Sequence, residues 1–224
     1  MPATSPSAST TSGGRPPPAV RSFSRSAGAA VHGACEALRK KLQTAGGGLP
    51  PGGVEAEGEV AGMWADPIYK AYSIHTYGAQ FGEVGVDADT GEIRLRRMLG
   101  VFAPGRILNA KTARSQLIGG MIWGVGAALH EEAVVDTRSG AFVNRDFAQY
   151  LVPVHADIPE LDAVLLDGYD DKANVLGAKG IGELGNCGAN AAVANAVFNA
   201  SGTRVREFPI TLEKVLPGLP VVDV

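Results

Sequence analysis

The chain has 224 residues, a formal net charge of −3 and 45% hydrophobic residues. That length suits one or two domains with ample chain for a core, and a mildly acidic chain without a basic stripe argues against nucleic-acid binding. The longest candidate for a membrane span, Leu117 to Leu129, is too short and is interrupted by glycines.

In chain order, residues 1–20 are rich in Ser, Thr, Pro, Ala and Gly, nearly uncharged, and lack the apolar core of a signal peptide. They read as a disordered low-complexity tail, or as a start from which upstream sequence was lost. Residues 21–224 then form the folded part. Ala27, Ala30, Val31, Ala34, Cys35, Leu38 and Leu42 recur at helical spacing and predict a helix over 27–42 with one buried face. Arg39, Lys40 and Lys41 complement its dipole. Residues 46–62 are Gly-, Pro- and Glu-rich and read as a loop or short linker. Residues 73–86 alternate as a strand, Asp87 to Glu92 has the composition of a turn, and Ile93 to Val101 returns as the partner strand.

Lys111 to Glu132 predicts a long, largely buried helix with Leu117, Ile118, Met121, Ile122, Val125, Ala128 and Leu129 as its stripe. Gly119, Gly120, Gly124 and Gly126 each disfavour that helix by roughly 1 kcal/mol against Ala, so close packing against backbone or a ligand is expected there. His130-Glu131-Glu132 lacks the second histidine of a zinc motif, and His32, His75 and His155 are scattered, so no protein-ligated metal site is expected. Cys35 and Cys187 show no ligand spacing and read as buried thiols in a reducing compartment rather than a disulfide.

The densest chemistry lies in Leu176-Gly177-Ala178-Lys179-Gly180-Ile181-Gly182-Glu183-Leu184-Gly185. Glycines permit backbone conformations and approaches closed to other residues, and one carboxylate and one ammonium sit among them. The following small, apolar run to Ala200 reads as a helix buried nearly all round, with Asn186 or Asn190 as N-cap and Gly202 just past its end. A Gly-rich turn feeding a helix N-terminus suits an anionic ligand, and a carboxylate held there can act as a general base. Two other readings use the same letters. One is an inert surface loop. The other is a dinucleotide fingerprint, Gly180-x-Gly182-x-x-Gly185 with Glu207 as the ribose acid, although the polar stretch Asp167 to Asn174 stands where that motif needs a strand.

Lys179-Gly180-Ile181-Gly182-Glu183 resembles the loop carrying the active-site glutamate in the xanthine dehydrogenase/aldehyde oxidase family, near the C-terminus of the large molybdenum-cofactor subunit. The similarity continues through Ala191 to Val197 and Arg204 to Leu212, and back through Leu108 to Gly120, with matching segments in order from about Ser22 to Leu216. The resemblance implies an α+β fold: the C-terminal molybdopterin-binding region of a molybdenum hydroxylase large subunit, with a mixed sheet and buried Gly-rich helices. It makes residues 21–224 a partial molybdopterin-binding domain, with Ala163 to Leu166 as its last strand. It implies Glu183 as general base, Gln116 as the glutamine that hydrogen-bonds near the molybdenum, and Lys179, Gly180 and Gly182 as cofactor-side loop residues. Lys179 would orient the loop or substrate, or make a plain surface salt bridge. Arg21 to Ser26 resembles the family's Gly-Ser-rich cofactor loop, with Ser22 and Ser24 as candidates and ordinary helix capping as the alternative. Asn109-Ala110 departs from the usual Asn-Pro.

The implied cofactor is molybdopterin-bound molybdenum, with the cytosine dinucleotide form as one version and the metal held by the pterin dithiolene. The implied reaction oxidises an aldehyde or N-heterocycle C–H with water-derived oxygen. Electrons would leave through iron–sulfur clusters and FAD in partner subunits. The family subunit is much longer, and its earlier half carries a Gln-Gly cofactor loop and an Arg-bearing substrate loop that have no counterpart here. The expected partners are therefore the remaining part of the molybdenum subunit, an iron–sulfur subunit and an FAD subunit, and the isolated chain is expected to be inactive. The contrasting expectation is a non-catalytic remnant or assembly module. Cytoplasm is the default location, with export as a folded complex to the periplasm as the alternative.

Overall fold

The structure is a computed structural model that describes residues 23–59 and 67–220. The predicted tail, Ser22 and positions 60–62 of the predicted linker lie outside the described residues. In order the elements are α1 (Phe23–Thr44), α2 (Ile68–Ala71), β1 (Tyr77–Val86), β2 (Ile93–Ala103), α3 (Ala110–Leu129), β3 (Val135–Asp136), β4 (Ala141–Phe142), β5 (Leu161–Leu165), α4 (Ala189–Ser201) and α5 (Leu212–Val215).

β1 and β2 form an antiparallel hairpin, Tyr77 opposite Ala103 and Val86 opposite Ile93, with a bulge between Glu83 and Val84. The predicted turn closes it for a local reason. The Asp87 carboxylate accepts from the Asp89 N–H at 3.0 Å and the Thr90 N–H at 2.8 Å, and Gly91 takes the left-handed φ of 74°. β5 adds in parallel on the other side of β2, from Met98 opposite Leu161 to Phe102 opposite Leu165. A parallel partner needs a crossover connection, and residues 104–160, which include α3, supply it. The sheet order β1-β2-β5 is thus mixed, within an α+β architecture.

The core lies on one face of this sheet. Val84, Leu95, Met98, Phe102 and Ala163 meet Leu117, Met121, Val125 and Ala128 of α3 and Ala189, Ala192, Val193 and Val197 of α4. Gly78 and Gly100 make room for the Phe102 ring: a methyl at Gly78 would stand 2.6 Å from it. The opposite face leaves Tyr77, Phe81, Leu99 and Val164 exposed.

Several elements differ from expectation. α3 runs from Ala110 with Asn109 as N-cap, its side chain accepting the Thr112 N–H at 3.1 Å, so the missing proline is no obstacle. Ile118, Ile122 and Leu129 are only half-buried. α4 is buried on one face rather than all round. Its outer Asn195 accepts from Arg204 at 2.9 Å, and that guanidinium stacks 3.8 Å from the Phe198 ring centroid. α1 begins at Phe23, and its apolar face is incompletely covered, with Val31 and Cys35 exposed. The cover it has includes Gly58 against the Ala30 backbone and Leu176 against Gly28.

The α3 glycines divide by packing. Gly120 lies on the backbone of Gly185 and Asn186, where an added methyl would stand 2.8 Å from the Asn186 nitrogen, and Gly124 lies against Ala189. Gly119 has nothing within 4 Å. Gly120→Ala is expected to destabilise by about 1–3 kcal/mol through overpacking against backbone that cannot yield. Gly119→Ala is expected to stabilise by roughly 0.5–1 kcal/mol through helix propensity. Urea denaturation of both variants checks this; shifts of the same sign would refute the packing account.

Candidate active site

The Gly-rich loop is anchored at the exit of β2. Ala178 pairs with Gly105 in an isolated antiparallel bridge, Lys179 N–H donates to the Pro104 carbonyl at 2.8 Å, and Arg106 N–H to the Gly177 carbonyl at 2.8 Å. Within 177–185 positive φ occurs at Gly177 alone, at 68°, and the Tyr169 ring fills the space where a side chain there would go. Asn174 braces the same stretch, its Nδ2 donating to the Ala178 carbonyl at 2.7 Å while its Oδ1 accepts the Leu176 N–H at 2.9 Å.

Lys179 is held inside this anchor. Its Nζ lies 3.1 Å from Asp170 and its side chain is 11% exposed, with the Tyr77 ring centroid 5.8 Å away. Among its predicted roles, a salt bridge is the one found, largely sheltered rather than on the surface. Burial pushes the Asp170 carboxyl up, but the Lys179 ammonium and the N–H groups of Ala173 and Lys172 outweigh it and hold the group below its ordinary 3.8.

From Gly182 to Gly188 the chain is a run of turns. The Glu183 carbonyl accepts from the N–H groups of Asn186 and Cys187, both at 3.0 Å, and Glu183 as a whole is half-buried. Gly185 lies directly on the Leu117 carbonyl of α3, leaving no space for a side chain. That contact brings Gln116 alongside, and its Nε2 donates to the Gly182 carbonyl at 2.9 Å. Two predicted site residues 67 positions apart are thereby neighbours, one peptide unit separating the amide's acceptor from Glu183. Gly180 and Gly182 do not use left-handed backbone; Gly182 contributes its carbonyl. The predicted N-caps of α4 are corrected: Gly188 caps it at φ 98°, because the turn run ends in a conformation that favours glycine. Asn186 and Asn190 serve beside it, through the Asn186 carbonyl and the Asn190 Oδ1, which accept the Ala189 and Ala191 N–H groups.

Other sequence candidates are not brought together here. Ser24 falls within α1, one turn before Gly28, rather than in a loop. Cys35 and Cys187 are free, but both are exposed rather than buried, Cys35 on the open face of α1 and Cys187 on the outside of the turn run. The dinucleotide reading lacks its strand, since residues 168–177 are turns and loop, and Glu207 is exposed. Among the described residues no group of three His, Cys, Asp or Glu could hold a metal ion. A cavity of about 240 Å³ between Ile93, Leu129, His130 and Ile210 lies at the far end of α3.

Sequence reading missed Gln80, Asp170 and Asn174. Gln80 Nε2, on β1, donates to the carbonyls of Gly185 at 3.0 Å and Cys187 at 2.9 Å. Its Oε1 is buried without a partner, which costs about 1–3 kcal/mol. The available signal was parity: Gln80 is the polar residue among the core-facing positions Gly78, Gly82 and Val84.

The family described as Molybdopterin cofactor-binding domain matches residues 53–159, a span that contains Gln116 and ends before Glu183. The aldehyde oxidoreductase molybdenum-binding subunit PaoC of Escherichia coli K12 is 58% identical over 155 residues, which are 69% of this chain and 21% of that protein. PaoC of Escherichia coli O157:H7 is 47% identical over 213 residues, 86% of this chain and 29% of that protein. Among solved structures, the aldehyde oxidoreductase of Desulfovibrio desulfuricans superposes with a TM-score of 0.73 at 27% identity, covering 91% of this chain and 23% of that one. The chain belongs to the xanthine dehydrogenase/aldehyde oxidase family and is related to its molybdenum-binding large subunit. It spans between 21% and 29% of the length of these two curated relatives.

The anchor predicts a pH dependence. Because the Asp170 carboxyl is depressed, its contribution is full above the unfolded value of 3.8 and is lost as pH falls through the lower folded value. Asp170→Asn is expected to destabilise the loop by about 1–3 kcal/mol at neutral pH. The gap from wild type should close in acid. Amide exchange of residues 174–179 measures it; a gap that stays constant down to about pH 2 would remove the ion pair as its cause.

Proposed function

We propose that this chain forms one wall of the cofactor site of a molybdenum hydroxylase, with Glu183 as the general base and an aldehyde or N-heterocycle as substrate. The observation that carries the reading is the 2.9 Å bond from Gln116 Nε2 to the Gly182 carbonyl, which sets an amide beside the carboxylate-bearing peptide. The high identity to an aldehyde oxidoreductase subunit favours the aldehyde.

The donor set fits a molybdenum cofactor whose metal is held by its own pterin dithiolene. Such a group asks the protein for hydrogen bonds and a nearby proton acceptor, and this chain offers an uncharged amide and a carboxylate. When bound, the cofactor supplies the two-electron redox centre at which water-derived oxygen reaches the substrate carbon. Gln116 has two N–H donors on one nitrogen. One holds Gly182, and the second is the donor assigned to the cofactor. Glu183 accepts a proton, the task of a carboxylate held within hydrogen-bond reach of the reacting group. Gly180 and Gly182 act through the backbone, and Lys179 through its N–H bond to Pro104 and its ion pair with Asp170, keeping the loop where the carboxylate is useful. Ser22 and Ser24 are assigned to the pterin side by the resemblance of Arg21 to Ser26 to the family's Gly-Ser-rich cofactor loop.

Residues 21–224 act in this reading as a partial molybdopterin-binding domain, completed by the remaining part of the molybdenum subunit. Relatives about three times as long support that completion, as does the apolar outer face of the sheet with Phe81 and Leu99 exposed. The cytosine dinucleotide form of the cofactor, iron–sulfur and FAD partner subunits, and a cytoplasmic location, with the periplasm as the alternative, belong to the same proposal. No described helix is long and apolar enough to cross a membrane.

In the assembled enzyme, Glu183→Gln is expected to retain molybdenum and lose turnover by about a hundred- to ten-thousand-fold, the usual contribution of a positioned base. Metal analysis with steady-state kinetics tests it. Near-normal turnover would sink the assignment. A folded wild-type assembly without molybdenum would leave a non-catalytic remnant instead.

A further inference from the structure

Glu183 lies between two amide clamps that come from different elements. Gln116 on α3 holds the carbonyl one residue before it. Gln80 on β1 holds the carbonyls two and four residues after it, at 3.0 and 2.9 Å. Both acceptors are carbonyls, so only the NH₂ end of the Gln80 amide can face them, and both of its hydrogens are spent on the turn run. The core-facing neighbours of Gln80 on either side are Gly78, which makes room for the Phe102 ring, and Gly82, where an added methyl would make ordinary contact with the Ala192 backbone at 3.6 Å.

Packing alone gives no reason for a glutamine there. Its Oε1 is buried and unpartnered, a penalty that an apolar side chain of the same length would avoid. The sheet's hydrogen bonds use only the Gln80 backbone. What the side chain does is satisfy two carbonyls of a turn run whose own N–H groups are engaged elsewhere: those of Asn186 and Cys187 reach back to the Glu183 carbonyl at 3.0 Å.

We propose that Gln80 is a positioning residue for Glu183, fixing the downstream half of its turn run to the sheet as Gln116 fixes the upstream half to α3. This rests on Glu183 being the base. The role is indirect, because Gln80 reaches backbone two and four residues beyond Glu183.

Two variants test it, Gln80→Met and Gln80→Glu. Methionine keeps the length and has no donor. In the full chain, Gln80→Met is expected to speed amide exchange at Asn186 and Cys187 about tenfold, the rate equivalent of about 1.4 kcal/mol, with Leu95 to Phe102 unchanged. In the assembled enzyme it is expected to lower kcat about tenfold with KM within about twofold and molybdenum content unchanged. Gln80→Glu removes the donors while ionised and regains one O–H donor on protonation. Its excess exchange over wild type, as protection factors, should therefore shrink as pH falls. Unchanged protection at Asn186 and Cys187 in Gln80→Met would overturn the clamp, and so would an excess in Gln80→Glu that ignores pH. Loosened amides with unchanged kcat would overturn the positioning role. Failure of the base assignment is separately visible, because Glu183→Gln would then keep its turnover while the exchange result stood.

Discussion

The candidate site depends on a contact between two backbones. Gly185 rests on the Leu117 carbonyl, and Gly120 rests on Gly185 and Asn186, with no side chain between the turn run and α3. A single methyl at either glycine would lift the turn from the helix. Gln116, one residue before Leu117, would then lose its reach to the Gly182 carbonyl. Protein interiors are packed too densely to absorb such a change by drift. The glycines disfavour the helix locally, and that local disadvantage is what allows the close approach.

β2 is the other half of the scaffold. It is the central strand, antiparallel to β1 and parallel to β5, and it buries Met98 and Phe102 almost completely. Its exit, Pro104 to Arg106, is where the Gly-rich loop is pinned. A strand paired on both sides is a stiff support, so the loop gains its order from the sheet rather than from regular structure of its own. The sheet's neighbour β1 reaches the same loop from below through Gln80. Loop position is set by a strand end, a strand side chain and a helix surface together.

The outer surfaces tell a complementary story. Phe81, Leu99 and Val164 on the free face of the sheet, and Val31 on α1, are exposed, while the inner face is closed by α3 and α4. Exposed apolar surface of this kind marks a site of interaction. The burial of α1 is also incomplete: its stripe is amphipathic in pattern, and its cover includes Gly58 and Leu176.

Periodicity in the amino-acid sequence determined the elements whose cause is local. The β1–β2 hairpin followed from alternation around Asp87 and Gly91, α3 from its Leu117–Met121–Val125 stripe, and α4 from its run of small residues closed by Gly202. The loop motif with Glu183 was legible as letters, and so was the family. Only the tertiary structure decided the side of β2 on which β5 pairs, the one-sided burial of α4 and the open face of α1, because those depend on which surfaces meet. It also decided that Lys179 is taken up by Asp170, that Gly188 rather than an asparagine caps α4, and that Gln80 reaches the turn run. Local patterns record backbone preference within a few residues. The pairings that hold Glu183 join positions 66 to 107 residues apart, and such pairings exist only after the chain has packed.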